Sequence, residues 1–246
     1  MYFFAKFSEL YSLLKMLQMI VMERMLHPDE DSDAKDNSKL LSAQLHSVVR
    51  EGDILKLTEI LRQVPTKQMM KDVMGHRDKE DFGRSLVLQA ACNGNLDIFK
   101  LLHQKYDADI TVRDSVNNSN AFHLAAANGH SDVIEYLLEN APNLLKKVDR
   151  KGNTALHVAA TNGHDHIVDQ LLACPNINNI LETKNDLGRI ALHCSCANGH
   201  VAIVQKLLKK GIKTDVKDAN NDKPSDLAYS RGHVEIVSLL ENCNRT

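Results

Sequence analysis

Twelve histidines and five cysteines are the side chains of this chain best suited to ligate a metal or move a proton. The densest group is His193, Cys194, Cys196 and His200. Zinc needs ligands that converge tetrahedrally. On one short helix, residues 193, 194 and 196 point in three different directions, and no C-x2-C pair supports a metal. No metal and no cofactor is therefore expected. Nucleophilic chemistry has no better footing. There is no G-x-S-x-G, P-loop or H-E-x-x-H motif. Ser, His and Asp are scattered without a composed nucleophile–base pair, so the chain is expected not to be an enzyme.

The spacing of the same residues points elsewhere. GNTALHVAATNGHDHIVDQLL (152–172) recurs as NSNAFHLAAANGHSDVIEYLL (118–138) and GRIALHCSCANGHVAIVQKLL (188–208). One glycine per copy marks the period: Gly52, Gly94, Gly129, Gly163, Gly199 and Gly232, at steps of 42, 35, 34, 36 and 33 residues. A fixed period in this range means one supersecondary unit stacked on itself, and such arrays work by contact. The period accounts for eight histidines. His46, His123, His157 and His193 share one position; His130, His164, His200 and His233 follow the glycine. His27, His76, His103 and His166 fall outside it. In register, Cys196 replaces an alanine and Cys194 a Leu or Val, which makes both small buried apolar residues.

The copy at 149–181 shows which elements carry these positions. DRKG (149–152) is a turn, and Thr154 is placed to cap a short helix whose apolar side is Leu156, Val158, Ala159 and Ala160. Asn162-Gly163 stops that helix, because glycine takes positive φ without steric cost. Ile167, Val168, Leu171 and Leu172 form the core face of a second helix. Two such helices cannot bury both faces alone, whereas stacked copies can.

TALHVAA, AFHLAA and IALHCSC, each followed within a few residues by NGH, resemble the T-P-L-H-x-A signature of the ankyrin repeat. Six copies are read: 45–61, 83–102, 118–138, 152–172, 188–208 and 221–240. The resemblance implies an all-α ankyrin solenoid with short β-hairpin tips. It also implies that the motif histidine bridges backbone and side chain at the hairpin. The departures are local. Only Thr154 keeps the capping Thr and only Pro224 the Pro; Leu88 and Asp226 stand at the histidine position, and Ser225 replaces a core Leu. The first copy lacks a hairpin. The segment 62–81 is an insertion that lengthens a helix or makes an irregular loop. The polar last copy suits a solvent-facing end.

Composition agrees. The chain is 43% apolar but only 4% aromatic, without Trp, which suits thin, closely packed helices. Thirty basic and 32 acidic side chains leave a net charge of −2, no footprint for nucleic acid. Cys92, Cys174, Cys194, Cys196 and Cys243 are odd in number and read as reduced thiols, which places the chain in the cytoplasm or nucleus. The domain reading is an apolar N-terminal helix over 1–26, an acidic linker over 27–39, the repeat domain over 40–242 and a tail over 243–246. No uncharged run reaches the roughly 18 residues of a spanning helix, and residues 1–26 lack the features of a secretory signal. Three readings of that segment stand: a cap on the first repeat, a surface for docking a partner or a membrane, or a chain that starts at Met22 or Met25.

The function that follows is protein–protein interaction, as an adaptor, scaffold or inhibitory subunit. The alternative is a membrane-associated protein docked through 1–26. In the ankyrin family partners usually bind the concave face of hairpin tips and first helices. Carried over by register, the partner-binding candidates are Arg84, Asn117, Ser119, Arg150, Lys151, Asn153, Thr161, Asp186, Leu187, Arg189, Asn220, Asp222 and Arg231.

Overall fold

Residues 31–175 and 177–243 are described in a computed structural model of the chain. Contacts divide the chain into two units, Met1–Gln44 and Leu45–Thr246. The apolar segment 1–26, with its capping and docking readings, lies outside the described residues. No described helix is long and apolar enough to cross a membrane.

The described part opens with α1, Asp31–Glu51. The acidic linker expected over 27–39 is thus corrected from Asp31 onward. No Gly or Pro falls between Asp31 and Glu51, so nothing in the backbone chemistry stops the helix there. The same continuity explains why the first copy lacks a hairpin. It is completed by α2, Ile54–Arg62, whose N-cap Asp53 accepts from the Lys56 N–H. The 62–81 insertion forms a separate helix, α3, Lys67–Gly75. Pro65 precedes its N-cap Thr66, whose hydroxyl accepts from the Met69 N–H at 3.1 Å.

Five helix pairs follow. The inner helices are α4 (Leu86–Asn93), α6 (Ala121–Asn128), α8 (Ala155–Asn162), α11 (Ala191–Ala197) and α13 (Pro224–Ser230). The outer helices are α5 (Leu96–Lys100), continued by a π-helical turn at Leu101–Lys105, then α7 (Ser131–Asn140), α9 (Asp165–Leu172), α12 (Val201–Lys209) and α14 (Val234–Cys243). A short α10, Asn178–Leu181, lies between the third and fourth of these pairs. Each inner helix packs on the next, and each outer helix from α7 onward does the same.

Alanine makes this stacking possible. Ala90, Ala91, Ala125, Ala126, Ala159 and Ala160 are fully buried, and their short side chains let neighbouring backbones approach closely. Larger apolar side chains fill the layer between inner and outer rows, including Phe99, Phe122, Leu156, Ile167, Leu171 and Val204. Inner helices are so short that their ends matter more than their intrinsic propensity. At α8, Thr154 accepts from the His157 N–H, and Gly163 closes the helix in the left-handed region at φ +80.

Two features differ from the sequence expectation. The tips are tight turns and not paired strands: among the described residues only an isolated bridge, Asp78 to Arg84, is present. The last copy is not wholly polar on its surface, since Tyr229 and Val234 are 79% and 73% exposed.

Candidate protein-binding face

The turns between repeats share one construction. In each, the N–H of the first residue donates to the carbonyl of the last: Asp114 to Ser119, Asp149 to Asn153, Asn185 to Arg189 and Asp218 to Asp222, all 2.9 Å. The first residue is Asp or Asn because its side chain folds back on the turn it opens. Asp149 Oδ1 accepts from the N–H groups of Lys151 and Asn153, and Asn185 Oδ1 from those of Leu187 and Arg189. Successive tips are then joined in a ladder. Ser115 N–H donates to Phe82 O, Arg150 to Asn117 O, Asp186 to Lys151 O and Ala219 to Leu187 O, at 2.7–3.2 Å. Side chains reinforce it. Arg77 donates to the Arg113 carbonyl, Arg113 to Val148 O at 2.9 Å and Lys184 to Lys217 O at 3.1 Å.

The histidines work at the same joints. His157 Nδ1 accepts from the Thr154 N–H at 3.2 Å, while Nε2 reaches the Arg189 carbonyl of the next tip at 2.9 Å. His193 makes the same pair of contacts, to Ile190 N–H and Asp222 O, and His123 Nε2 likewise reaches Asn153 O, although its Nδ1 lies nearer Asn120 Oδ1, at 2.6 Å, than Asn120 N–H, at 3.3 Å. A ring that accepts at Nδ1 and donates at Nε2 is the neutral Nε2–H tautomer. The post-glycine histidines reach backward. His130, His164 and His200 donate from Nε2 to the carbonyls of Cys92, Ala127 and Thr161 at 2.8–3.0 Å. Departures from the pattern follow from position. Asp226 supplies the capping half alone, accepting from Lys223 N–H at 2.8 Å. His46, inside the continuous α1, has no helix start to cap and instead pairs through Nδ1 with Gln89 Oε1 at 2.9 Å. His103, outside the period, meets the Tyr136 hydroxyl at 2.7 Å.

Burial lowers the basicity of His46, His123, His157 and His193 below the ordinary 6.5, against smaller opposing effects of their acceptors. The unfolded chain therefore takes up protons first as pH falls. The contribution of these rings to stability is complete above about pH 6.5 and is lost as pH drops through their lowered folded values. Urea unfolding midpoints should decline between about pH 7.5 and about pH 5, and ring nitrogen spectra at neutral pH should show Nε2–H at His157 and His193. A midpoint that rises on acidification would contradict this account.

The apparent metal cluster separates under the same geometry. Both nitrogens of His193 face backbone partners, and His200 Nε2 bonds Thr161 O. Cys196 is fully buried and its thiol is pushed up to about 12 by burial, so the thiolate that a metal would need is disfavoured. Among the described residues no group of three or more His, Cys, Asp or Glu could hold a metal ion.

The candidate binding residues divide into two sets. Several act as braces between repeats. Arg189 Nε donates to Asp218 Oδ2 at 2.9 Å. Burial pushes the Asp218 carboxyl up, but Arg189 and the backbone N–H groups of Asp222 and Asn220 outweigh it and hold the group below its usual value. Asn153 Oδ1 accepts from Asn185 Nδ2 and Arg231 donates to Ala197 O, whereas Arg84 pairs with Asp81 inside its own tip at 2.9 Å. Asp222 is half-buried, and its carbonyl accepts from His193 and from Asp218. Ser119 is 7% exposed, a correction to its reading as a contact residue: the third tip holds one more residue than the fourth, and its positive-φ position is Asn118. Asn117, Arg150, Lys151, Thr161, Asp186, Leu187 and Asn220 are exposed, and Arg150 Nη2 also donates to Ser115 O of the preceding tip at 3.2 Å.

The family whose model matches is ankyrin repeats (three copies), over residues 87–181 and 174–245. The chain belongs to the ankyrin-repeat family. Relatives agree. An ankyrin repeat-containing protein of Arabidopsis thaliana is 32% identical over 110 residues, 45% of this chain. The chain spans only 20% of that relative's length. The human Notch-regulated ankyrin repeat-containing protein is 30% identical over 93 residues, 38% of this chain and 75% of that protein. Its zebrafish counterpart, from Danio rerio, matches equally over 77% of its length. Ankyrin arrays generally mediate protein–protein interaction and are typically non-enzymatic. Two exposed ankyrin-tip residues were missed by the register: Phe82 and Val116, 49% and 45% exposed. Phe82 lay between the insertion and the second copy, and Val116 in the longer third tip. Their apolar character next to turn residues was the available signal.

Proposed function

We propose that this chain is a binding module, an adaptor, scaffold or inhibitory subunit, that holds a partner protein against its tips and the exposed side of its inner helices. The observation that carries the reading is the division of labour among tip residues. Backbone ladder, imidazoles and braces fix the turns, while Asn117, Lys151, Thr161, Asp186 and Leu187 remain exposed on them or beside them. A surface ordered before binding loses little entropy on association. The thiol inventory supports a reducing compartment, cytoplasm or nucleus.

The test is a charge reversal. Arg150→Glu combined with Lys151→Glu should leave the urea midpoint nearly unchanged, within about 0.5 kcal/mol, because both side chains are exposed. Affinity for a partner captured from native cells should fall about tenfold or more. Thr161→Glu, on the inner-helix side of the same face, should weaken the same complex. Unchanged affinity in both variants would remove this face from the interaction.

A further inference from the structure

The ladder defines equivalent positions without reference to sequence alignment. The residues whose carbonyls accept from the following tip are Phe82, Asn117, Lys151 and Leu187. One column of the array therefore reads aromatic, amide, cation, aliphatic. Its two end members are large apolar side chains left about half exposed, Phe82 at 49% and Leu187 at 55%. Phe82 also holds φ at +54, a region that bulky residues rarely occupy. The core gains little from it there. Its ring lies under the Arg84 guanidinium, 4.9 Å from the ring centre, so the aromatic is held on the surface by a cation. Among the described residues neither Arg150 nor Lys151 has a carboxylate within ion-pair distance. The nearby Asp149 carboxylate is occupied inside its own turn, and Asp186 belongs to the adjoining column with Ser115, Arg150 and Ala219.

We infer that this column is a docking track for an extended peptide segment of a partner protein that carries two apolar side chains with an acidic residue between them. The inference rests on the binding-face reading above and gives that face a ligand class. Packed helices lie roughly 8–10 Å apart, so three repeat steps from Phe82 to Leu187 span about 24–30 Å. An extended chain rises about 3.3 Å per residue, which sets the two apolar residues about eight positions apart. The acid falls about three residues from the one that meets Leu187, opposite Lys151. A folded partner or nucleic acid is disfavoured as the occupant of this column. The row is one side chain wide at each step, and the chain is net negative.

A random 12-residue peptide library displayed on phage and selected on the full chain tests the assignment. Enriched peptides should show two apolar positions seven to nine apart with Asp or Glu between them. In fluorescence anisotropy the best peptide should bind about tenfold or more weakly to Phe82→Ser and to Leu187→Ser. Lys151→Glu should reverse the preference, so that a version with Lys in place of the acid binds better than the original. Circular dichroism melts identify any variant that loses binding by unfolding, and Lys151→Glu, on an exposed turn, keeps the test decisive. No enrichment, enrichment without the pattern, or patterned peptides that ignore all three substitutions would overturn the track. In that case a captured partner still sensitive to Thr161→Glu leaves the binding-face reading standing, whereas insensitivity there removes both.

Discussion

Leu171→Ala is expected to lower the stability of the array by about 2–5 kcal/mol, the cost of deleting a buried leucine and leaving a cavity. Leu171 is fully buried in α9. That helix packs on α8 within its own repeat and on α7 and α12 on either side, so few neighbours are free to collapse into the space. The effect should not be uniform along the chain. Arrays gain stability from each repeat and from each nearest-neighbour interface. A defect in the fourth copy therefore weakens two interfaces at once. Urea unfolding should shift to a lower midpoint, and amide exchange should accelerate most in α8 and α9. Loss of less than about 1 kcal/mol would mean that the site is far less confined than the packing indicates.

Gly163→Ala should cost about 2–3 kcal/mol, although it only adds a methyl group. The residue sits at φ +80, where a side chain costs about 1–2 kcal/mol. A Cβ there would also lie 2.6 Å from Cε1 and 2.9 Å from Nδ1 of His200. The ring must move, and with it goes the hydrogen bond to Thr161 O, worth about 0.5–1.5 kcal/mol. Gly232 supplies the comparison. It holds nearly the same φ, +76, with nothing within 4 Å of its would-be Cβ. Gly232→Ala should therefore show the strain without the ring contact. Equal losses at the two sites, measured by urea midpoint, would show that the imidazole over Gly163 contributes nothing.

The regular part of this fold was legible because it is dictated locally. Glycine is nearly obligatory where a short helix must stop at positive φ, and a histidine three residues inside a helix can return to its N-cap. Both requirements recur with each copy, so the period, the helix pairs and the ankyrin membership could be read from Gly94 to Gly232. What escaped the reading depends on relations between copies. Asn153 and Arg189 stand two residues after Lys151 and Leu187 on the same tips, yet they are used up on Asn185 and Asp218 of the following tip. Register alone does not distinguish a side chain that meets a neighbouring repeat from one that meets solvent. The start of the array escaped for a different reason. Acidic residues near Asp31 suit a solvated linker and the amino end of a helix equally well, and α3 was hidden because its pattern, KQMMKDVMG, is too short to show a period.

The imidazoles at the joints have one consequence for how such a chain changes over time. Each regular copy carries one ring that reaches forward to the next tip and one that reaches back over the previous glycine. Both rings address a main-chain carbonyl, so neither depends on which side chain the neighbour happens to bear. An internal copy can be removed or doubled and both joins form again with the new neighbour. The tip side chains, which these joins ignore, are then free to vary from copy to copy. Length and specificity are in this sense separately heritable traits of the molecule.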